Sequence, residues 1–396
     1  MAWDGGATLA GQFASARAVV VRMFPSFKRP GKTYQGFVKA MKVWGTLLRE
    51  RLAAHLRDQM RRMDSCWRVM DILAFAVDGS RVECPRTKAN QEQLKCAGRK
   101  KTGPQLSLTT IYHMGSGCPW DYRIGPGVES ERTHLRAMLS TLPEGATIVA
   151  DAGFTGHDLL RSILLSGRHV LFRVGRNVTL LQKLGYARVE NDSTVYLWPG
   201  RAQAEEQAPL VLRLIMLPGR HGVYLVTDRS EEELSFEQAG VLYRMRWGVE
   251  VFYRSLKQTL QQRKMRSRAP RQAKMELSWA VMGLWVLSLA GVQAVVAKDK
   301  TPGNLSIALA RNMVRQAMAA RCHRRTNLGK QLATALKDSY VRTGSKAARN
   351  WPHKKNERPA DAPKIKLAQL RQVQHAKELL EKNPAASFFP LIIKYT

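Results

Sequence analysis

At 396 residues the chain is too long for one ordinary domain, and its 44% of apolar residues, spread along the whole length, exclude a disordered chain. Lysine and arginine number 64 against 31 acidic residues, a net charge of +33 that repels itself unless a polyanion neutralises it. Nucleic acid is the first choice of partner, with a membrane surface or an acidic protein as alternatives. The five cysteines are scattered and form no Cys-x-x-Cys pair, which speaks against a zinc ribbon or a disulfide framework and fits a reducing cytoplasm. The opening "MAWDGGATLAGQFASARAVVVRMF" lacks the cationic start of a signal peptide.

Residues 1–67 read as a helical region by their 3.6-residue apolar pattern. "YQGFVKAMKVWGTLLRERLAAHLRDQMRRM" carries many cations opposite its apolar positions, either a DNA-contacting surface or a solvated face. Residues 68–177 alternate strands with helices, the signature of an α/β core. "VMDILAFAVDGSRVE" is a near-continuous apolar run that meets a turn at Asp78-Gly79, as a buried strand does. "QLSLTTIYHM" and "WDYRIGP" are further strands, and "SERTHLRAMLSTL" is a short helix with Glu131 between Ser130 and Arg132. "ATIVADAGF" is a second buried strand, ending in Asp151; "HDLLRSILLSG" is helical up to Gly167, and "HVLFRVG" is again a strand.

Residues 178–229 have a β texture, with "STVYLWPG", "PLVLRLIMLPG" and "GVYLVTD" separated by Gly and Pro turns. Residues 230–300 return to helix. Two overlapping capping boxes, Ser230 with Glu233 and Ser235 with Gln238, start a helix expected to run to about Gln262. The uncharged stretch 277–297 is long enough to cross a bilayer, but Ser278, Ser288 and Gln293 interrupt it and a buried core helix is expected. Residues 301–396 form a basic helical C-terminal region: "ARNMVRQAMAARCHRR", a Pro- and charge-rich linker "RNWPHKKNERPADAPKIK", a last helix "LAQLRQVQHAKELLEKN" and an apolar tail "FFPLII". Cys322-His323 has no second pair at metal-binding spacing.

The helix "YRMRWGVEVFYRSLKQTL" holds a lone carboxylate, Glu250, among cations. On an ideal wheel with Tyr243 at zero, Arg246, Glu250, Lys257 and Arg254 fall within roughly 80° of one another, from about 300° to about 20°. The apolar Leu242, Val249, Phe252, Leu256 and Leu260 lie beside them at about 180–260°. Taken alone, Arg246 and Glu250 make an ordinary i,i+4 ion pair worth about 0.2–0.5 kcal/mol. Asp78 and Asp151 change that reading, because each ends an apolar strand, where a carboxylate needs a partner. Turn chemistry accounts for either aspartate singly. Together with Glu250 they make a carboxylate cluster that a hard cation such as Mg²⁺ would neutralise. Two such ions about 3.5–4 Å apart clamp the attacking and leaving oxygens of a phosphoryl transfer. Arg173, Arg246 and Lys257 suit the flanking phosphates.

Tyr243-x2-Arg246-x3-Glu250-x6-Lys257, with "AVDGS" and "VADAGF" upstream, resembles the YREK signature and the two Asp motifs of insertion-sequence-four-type DDE transposases. The resemblance runs over roughly residues 69–268, and Asp-Gly-Ser stands where relatives often have Asp-Gly-Thr. It implies an RNase-H-like catalytic core with a β-rich insertion before the Glu helix, flanked by helical N- and C-terminal regions. It implies Mg²⁺-dependent cutting at transposon ends, with two ions and Mn²⁺ as a substitute, and joining of the 3′-hydroxyl to target DNA. By matching position, Asp78, Asp151 and Glu250 would be the catalytic metal ligands. Tyr243, Arg246 and Lys257 would contact DNA, as would Arg173 and Arg254. Members that cut through a hairpin hold a flipped base on an aromatic of the insertion, a place that Trp198 matches; its other reading is a packed strand tryptophan. The partners implied are the terminal inverted repeats, target DNA and a second copy of the chain in the synaptic complex, in a bacterial cytoplasm and with no membrane. An RNase-H-like nuclease without strand transfer, and a degenerate transposase that only binds DNA, are the alternatives.

Overall fold

The structure, a computed structural model, describes residues 1–3, 6–26, 31–97, 103–219, 222–319, 327–338 and 361–383. Cys322-His323, the apolar tail and all but the last residues of the Pro-rich linker lie outside them. The strands are β1 (Ala74–Glu83), β2 (Gln105–His113), β3 (Cys118–Pro126), β4 (Thr147–Ala150), β5 (His169–Val174), β6 (Thr179–Gln182), β7 (Thr194–Leu197), β8 (Leu210–Leu217), β9 (Val223–Thr227) and β10 (Lys364–Leu367). They form a ten-stranded mixed sheet in the order β10-β6-β7-β8-β9-β5-β4-β1-β2-β3. The architecture is mixed α/β, and β6 to β9 fall in the chain between β5 and the helix that carries Glu250. The chain divides into two compact units.

The first unit comprises Met1–Val69, Asp78–His134 and Gly248–Asp338. Its helices begin with α1 (Leu9–Met23) and α2 (Tyr34–Arg61), each N-capped by a threonine hydroxyl, Thr8 and Thr33. A later helix of this unit, Pro270–Val296, packs against α2, β3 and Ile307–Ala319. From Leu277 on, this helix is the uncharged stretch of the sequence. By length and composition it is able to cross a membrane, yet 61% of its most apolar window is buried within the protein, with Trp285 and Leu284 fully enclosed. It packs as a largely buried helix of this unit, which accounts for its apolar composition.

The second unit comprises Met70–Val77, Leu135–Trp247 and Ser339–Thr396. Here the first half of β1 pairs in parallel with β4, and β4 with β5. β9, β8 and β7 continue the sheet antiparallel. The end of the expected linker is strand, not coil: β10 pairs in parallel with β6, Lys364 opposite Thr179. The helix that follows, Leu370–Lys382, buries Ala376 and Leu379 against Leu181, Leu184, Tyr186 and Tyr196.

Two expectations are corrected. The strand through Asp78 does not stop at a turn there, since β1 runs on to Glu83. The helix expected from Ser230 to Gln262 is three pieces. Only the second capping box caps a helix, Phe236–Met245, while Ser230 and Glu233 close a turn. Arg246 interrupts, Trp247–Arg254 follows, and Ser255–Thr259 is a π-helical turn. The wider turn advances each side chain by less than the ideal angle, so the single wheel fails beyond Arg254. The apolar stripe survives the break, because Leu242, Val249, Phe252, Leu256 and Leu260 are all buried.

In the first unit the His113 ring lies 4.7 Å from that of Trp67. Its Nε2–H donates to the Trp67 carbonyl at 3.0 Å and its Nδ1 pairs with the Ser116 hydroxyl at 2.8 Å. Burial lowers its pKa from 6.5 to about 4. Above pH 6.5 the ring is neutral in folded and unfolded chains alike. As the pH falls from 6.5 towards 4, only the unfolded chain takes up the proton, and stability of the order of 3 kcal/mol is lost. Urea midpoints measured across that window fall with pH in the parent, and the fall is shallower in His113→Gln.

Candidate functional site

In the first unit Asp78 sits half-buried on β1, directly after four fully buried residues. Its Oδ1 accepts the backbone N–H of Gly79 at 2.8 Å, which fixes the carboxylate's orientation. Glu250 is half-buried on the helix Trp247–Arg254. That helix is tied to β1 twice. The Tyr253 hydroxyl donates to the Asp78 carbonyl at 2.6 Å, and Lys257 Nζ donates to the Ser80 hydroxyl at 2.7 Å. Burial, then the nearby Asp78 and Glu131 carboxylates, raise the Tyr253 pKa well above its usual value, so the phenol stays a donor. Burial, then Arg263, push the Lys257 pKa down, while Asp78 and Glu83 oppose that shift. On the same helix Arg254 is exposed, and its charge, second to burial, lowers the pKa of Lys337.

Glu131, the first residue of the helix Glu131–Met138, is a carboxylate that sequence reasoning passed over. A Cβ on Gly79 would lie 2.1 Å from its carboxyl carbon, so the glycine makes room for this side chain beside Asp78. Nothing in the local sequence signals that contact, because a glutamate at a helix start reads as a partner of the helix dipole. Tyr253 likewise takes no role from the helix pattern alone, since it stands outside both the apolar stripe and the charged face.

In the second unit Asp151 follows β4 directly. Its Oδ1 accepts the N–H of Gly153 at 2.9 Å. The parallel register within this unit sets Ala76 opposite Val149. Arg173 is on β5, where its carbonyl accepts the Thr155 hydroxyl at 2.8 Å and so holds the loop after Asp151. Its buried Nε–H has no hydrogen-bond partner among the described residues. Arg246 lies over the Tyr243 ring, 5.7 Å from its centroid. Trp198 is 3% exposed. Its indole N–H donates to the Gln207 carbonyl at 2.7 Å, and its ring lies 5.2 Å from that of His375. An indole enclosed in this way presents no face on which a base could stack, so Trp198 stands as a packed core residue.

The donor chemistry fits a hard divalent cation. Aspartate and glutamate oxygens are the ligands that Mg²⁺ takes, and each aspartate has one oxygen already oriented by a backbone N–H. Among the described residues no group of three or more His, Cys, Asp or Glu side chains is gathered to hold a metal ion.

The transposase DDE domain family matches residues 70–286, more than half of the chain. The transposase InsG for insertion sequence element IS4, from Escherichia coli (strain K12), is 24% identical over 228 residues, 52% of this chain and 49% of that protein. The chain thus spans about half the length of that curated relative. The piggyBac transposase in its synaptic complex with hairpin DNA, solved by cryo-electron microscopy, is similar with a TM-score of 0.39 and 12% identity, over 70% of this chain and 60% of that one.

Gly79→Ala forces the Glu131 carboxyl group away and is expected to cost about 1–3 kcal/mol in thermal or urea unfolding. In a Glu131→Ala background the same change has room for its methyl group and costs little, a coupling read from the double-mutant cycle. Equal costs in both backgrounds would show that the carboxyl group does not rest on Gly79.

Proposed function

Because the chain belongs to the DDE-domain transposase family, we propose that it is a DNA transposase that cleaves element ends and transfers the freed strand into target DNA. The observation that carries the reading is an aspartate on β1, Asp78, and one directly after β4, Asp151, followed in the chain by the Tyr243, Arg246, Glu250 and Lys257 series. Asp78, Asp151 and Glu250 would hold Mg²⁺, with Mn²⁺ as a substitute, and a cation bound there supplies Lewis-acid stabilisation of charge on the scissile phosphate. The remaining work belongs to the chain itself.

Lys257, oriented by Ser80, offers a point charge to a phosphate oxygen. Arg173 brings a guanidinium with an unsatisfied Nε–H, a donor that a phosphate oxygen would complete. Arg246 and Tyr243 act as a stacked pair, the ring holding the guanidinium for a forked contact. Arg254 adds to the electrostatic hold on the backbone, which is independent of sequence. The net charge of +33 supports the same partner. Residues 1–67 are proposed to recognise the terminal repeats, and a second copy of the chain to complete the synaptic complex.

Linear DNA carrying both element ends, incubated with the protein and Mg²⁺, is expected to give cut ends and joined 3′ ends. Asp78→Ala, Asp151→Ala and Glu250→Ala each lower the cleavage rate by at least about a thousandfold, several kcal/mol of barrier. Cleavage by any of them at the parent's rate overturns the assignment of that residue, and cut ends that are never joined overturn strand transfer.

Lys257→Ala instead weakens end binding and reduces the slope of log affinity against log salt by about one unit. A salt dependence equal to the parent's removes its phosphate role.

A further inference from the structure

We propose that Tyr253 is a positioning residue for the reaction, whose hydroxyl, by holding the Asp78 carbonyl, sets the place of the Asp78 carboxylate relative to the Glu250 helix. The inference rests on reading Asp78 and Glu250 as catalytic carboxylates. Tyr253 is 5% exposed. Its phenolic oxygen is 2.6 Å from the Asp78 carbonyl oxygen and 3.4 Å from that of Leu108. A phenol has a single proton, and the shorter, stronger contact takes it.

The contact joins the two elements that matter. Tyr253 leaves the helix three residues after Glu250, on an adjoining part of the helix surface. The carbonyl it grips belongs to the residue whose own side chain is the proposed ligand. The Asp78 main chain therefore cannot move relative to this helix without breaking a buried bond. Tyr253 is enclosed, its ring 5.7 Å from that of the buried Phe252, so water is not at hand to replace the bond. The Lys257–Ser80 bond is a second tie, and Ser80 stands two residues beyond Asp78 on the same side of β1. Groups that orient ligands in this way act on metal affinity and on near-attack geometry, where a displacement of about 1 Å is enough to cost a hundredfold in rate.

The test uses the full chain in four forms: parent, Tyr253→Phe, Ser80→Ala and Tyr122→Phe. Tyr122 is a control, a buried tyrosine of the same unit whose hydroxyl pairs with Ser278 at 2.7 Å, away from Asp78. Mg²⁺ is titrated with two readouts, the rise in thermal midpoint without DNA and the cleavage of labelled element-end DNA. Tyr253→Phe is expected to need about tenfold more Mg²⁺ for half of each response. Ser80→Ala moves both in the same direction by a smaller factor. Tyr122→Phe lowers the metal-free midpoint and keeps the parent's Mg²⁺ dependence. A Tyr253→Phe protein with the parent's Mg²⁺ dependence overturns the proposal; if that variant does not fold, Ser80→Ala decides it by the same criterion. Asp78→Ala and Glu250→Ala run alongside, and if they keep the parent's Mg²⁺ response, or the parent has none, the catalytic reading itself fails.

Discussion

A carboxylate directly after a dry stretch of strand has to be compensated, and much of the local structure around Asp78 follows from that requirement. β1 is fully buried from 74 to 77 and then opens to half-burial at Asp78, Gly79 and Ser80. Those three residues carry specific polar contacts. The Gly79 N–H takes one carboxylate oxygen, Tyr253 takes the Asp78 carbonyl, and Lys257 takes the Ser80 hydroxyl. Gly79 itself is bare because the Glu131 carboxyl group occupies the space of a side chain. A strand that carried on as an apolar run would need none of these partners.

The helix facing this strand is broken for reasons that suit the same place. Gly248 allows close approach to Tyr112, whose ring would lie 2.8 Å from an added Cβ. Downstream, the π turn lengthens the path by its wider i→i+5 bonding, seen where the Leu260 N–H reaches the Ser255 carbonyl. Lys257 lies inside that turn and meets Ser80, not the position an ideal wheel assigns to it. Gln261, at a φ of 56°, ends the segment in the left-handed region.

The β-rich insertion shows how one residue type carries two meanings. An exposed tryptophan in a cationic protein reads as a stacking platform, and a buried one as core. The difference at Trp198 comes from a segment far along the chain. β10 closes the β6 edge and the helix after it covers the insertion, so that His375 meets the Trp198 ring. Without that helix Leu181 of β6 and Tyr196 of β7 would lose part of their apolar cover.

Most elements were legible because their signal is local. The strands that lead into Asp78 and Asp151 read as apolar runs, the Ser235–Gln238 capping box started a helix, and the uncharged stretch was, up to Val296, a largely buried helix as expected. The spacing of Tyr243, Arg246, Glu250 and Lys257 is likewise a property of the chain, and family membership over residues 70–286 agrees with it. β6 and β10 escaped, being four residues each and strands only because they pair. Tyr253, Ser80 and Glu131 escaped for a related reason. Each does its work through a partner distant in sequence, and a buried hydroxyl or carboxylate declares its role only when the group it satisfies is known. Chemistry set by residue type and spacing was determined by the sequence alone. Which polar group meets which, and hence what orients the carboxylates, was decided by tertiary packing, because satisfaction of a buried polar atom is a relation between segments and not a property of either one.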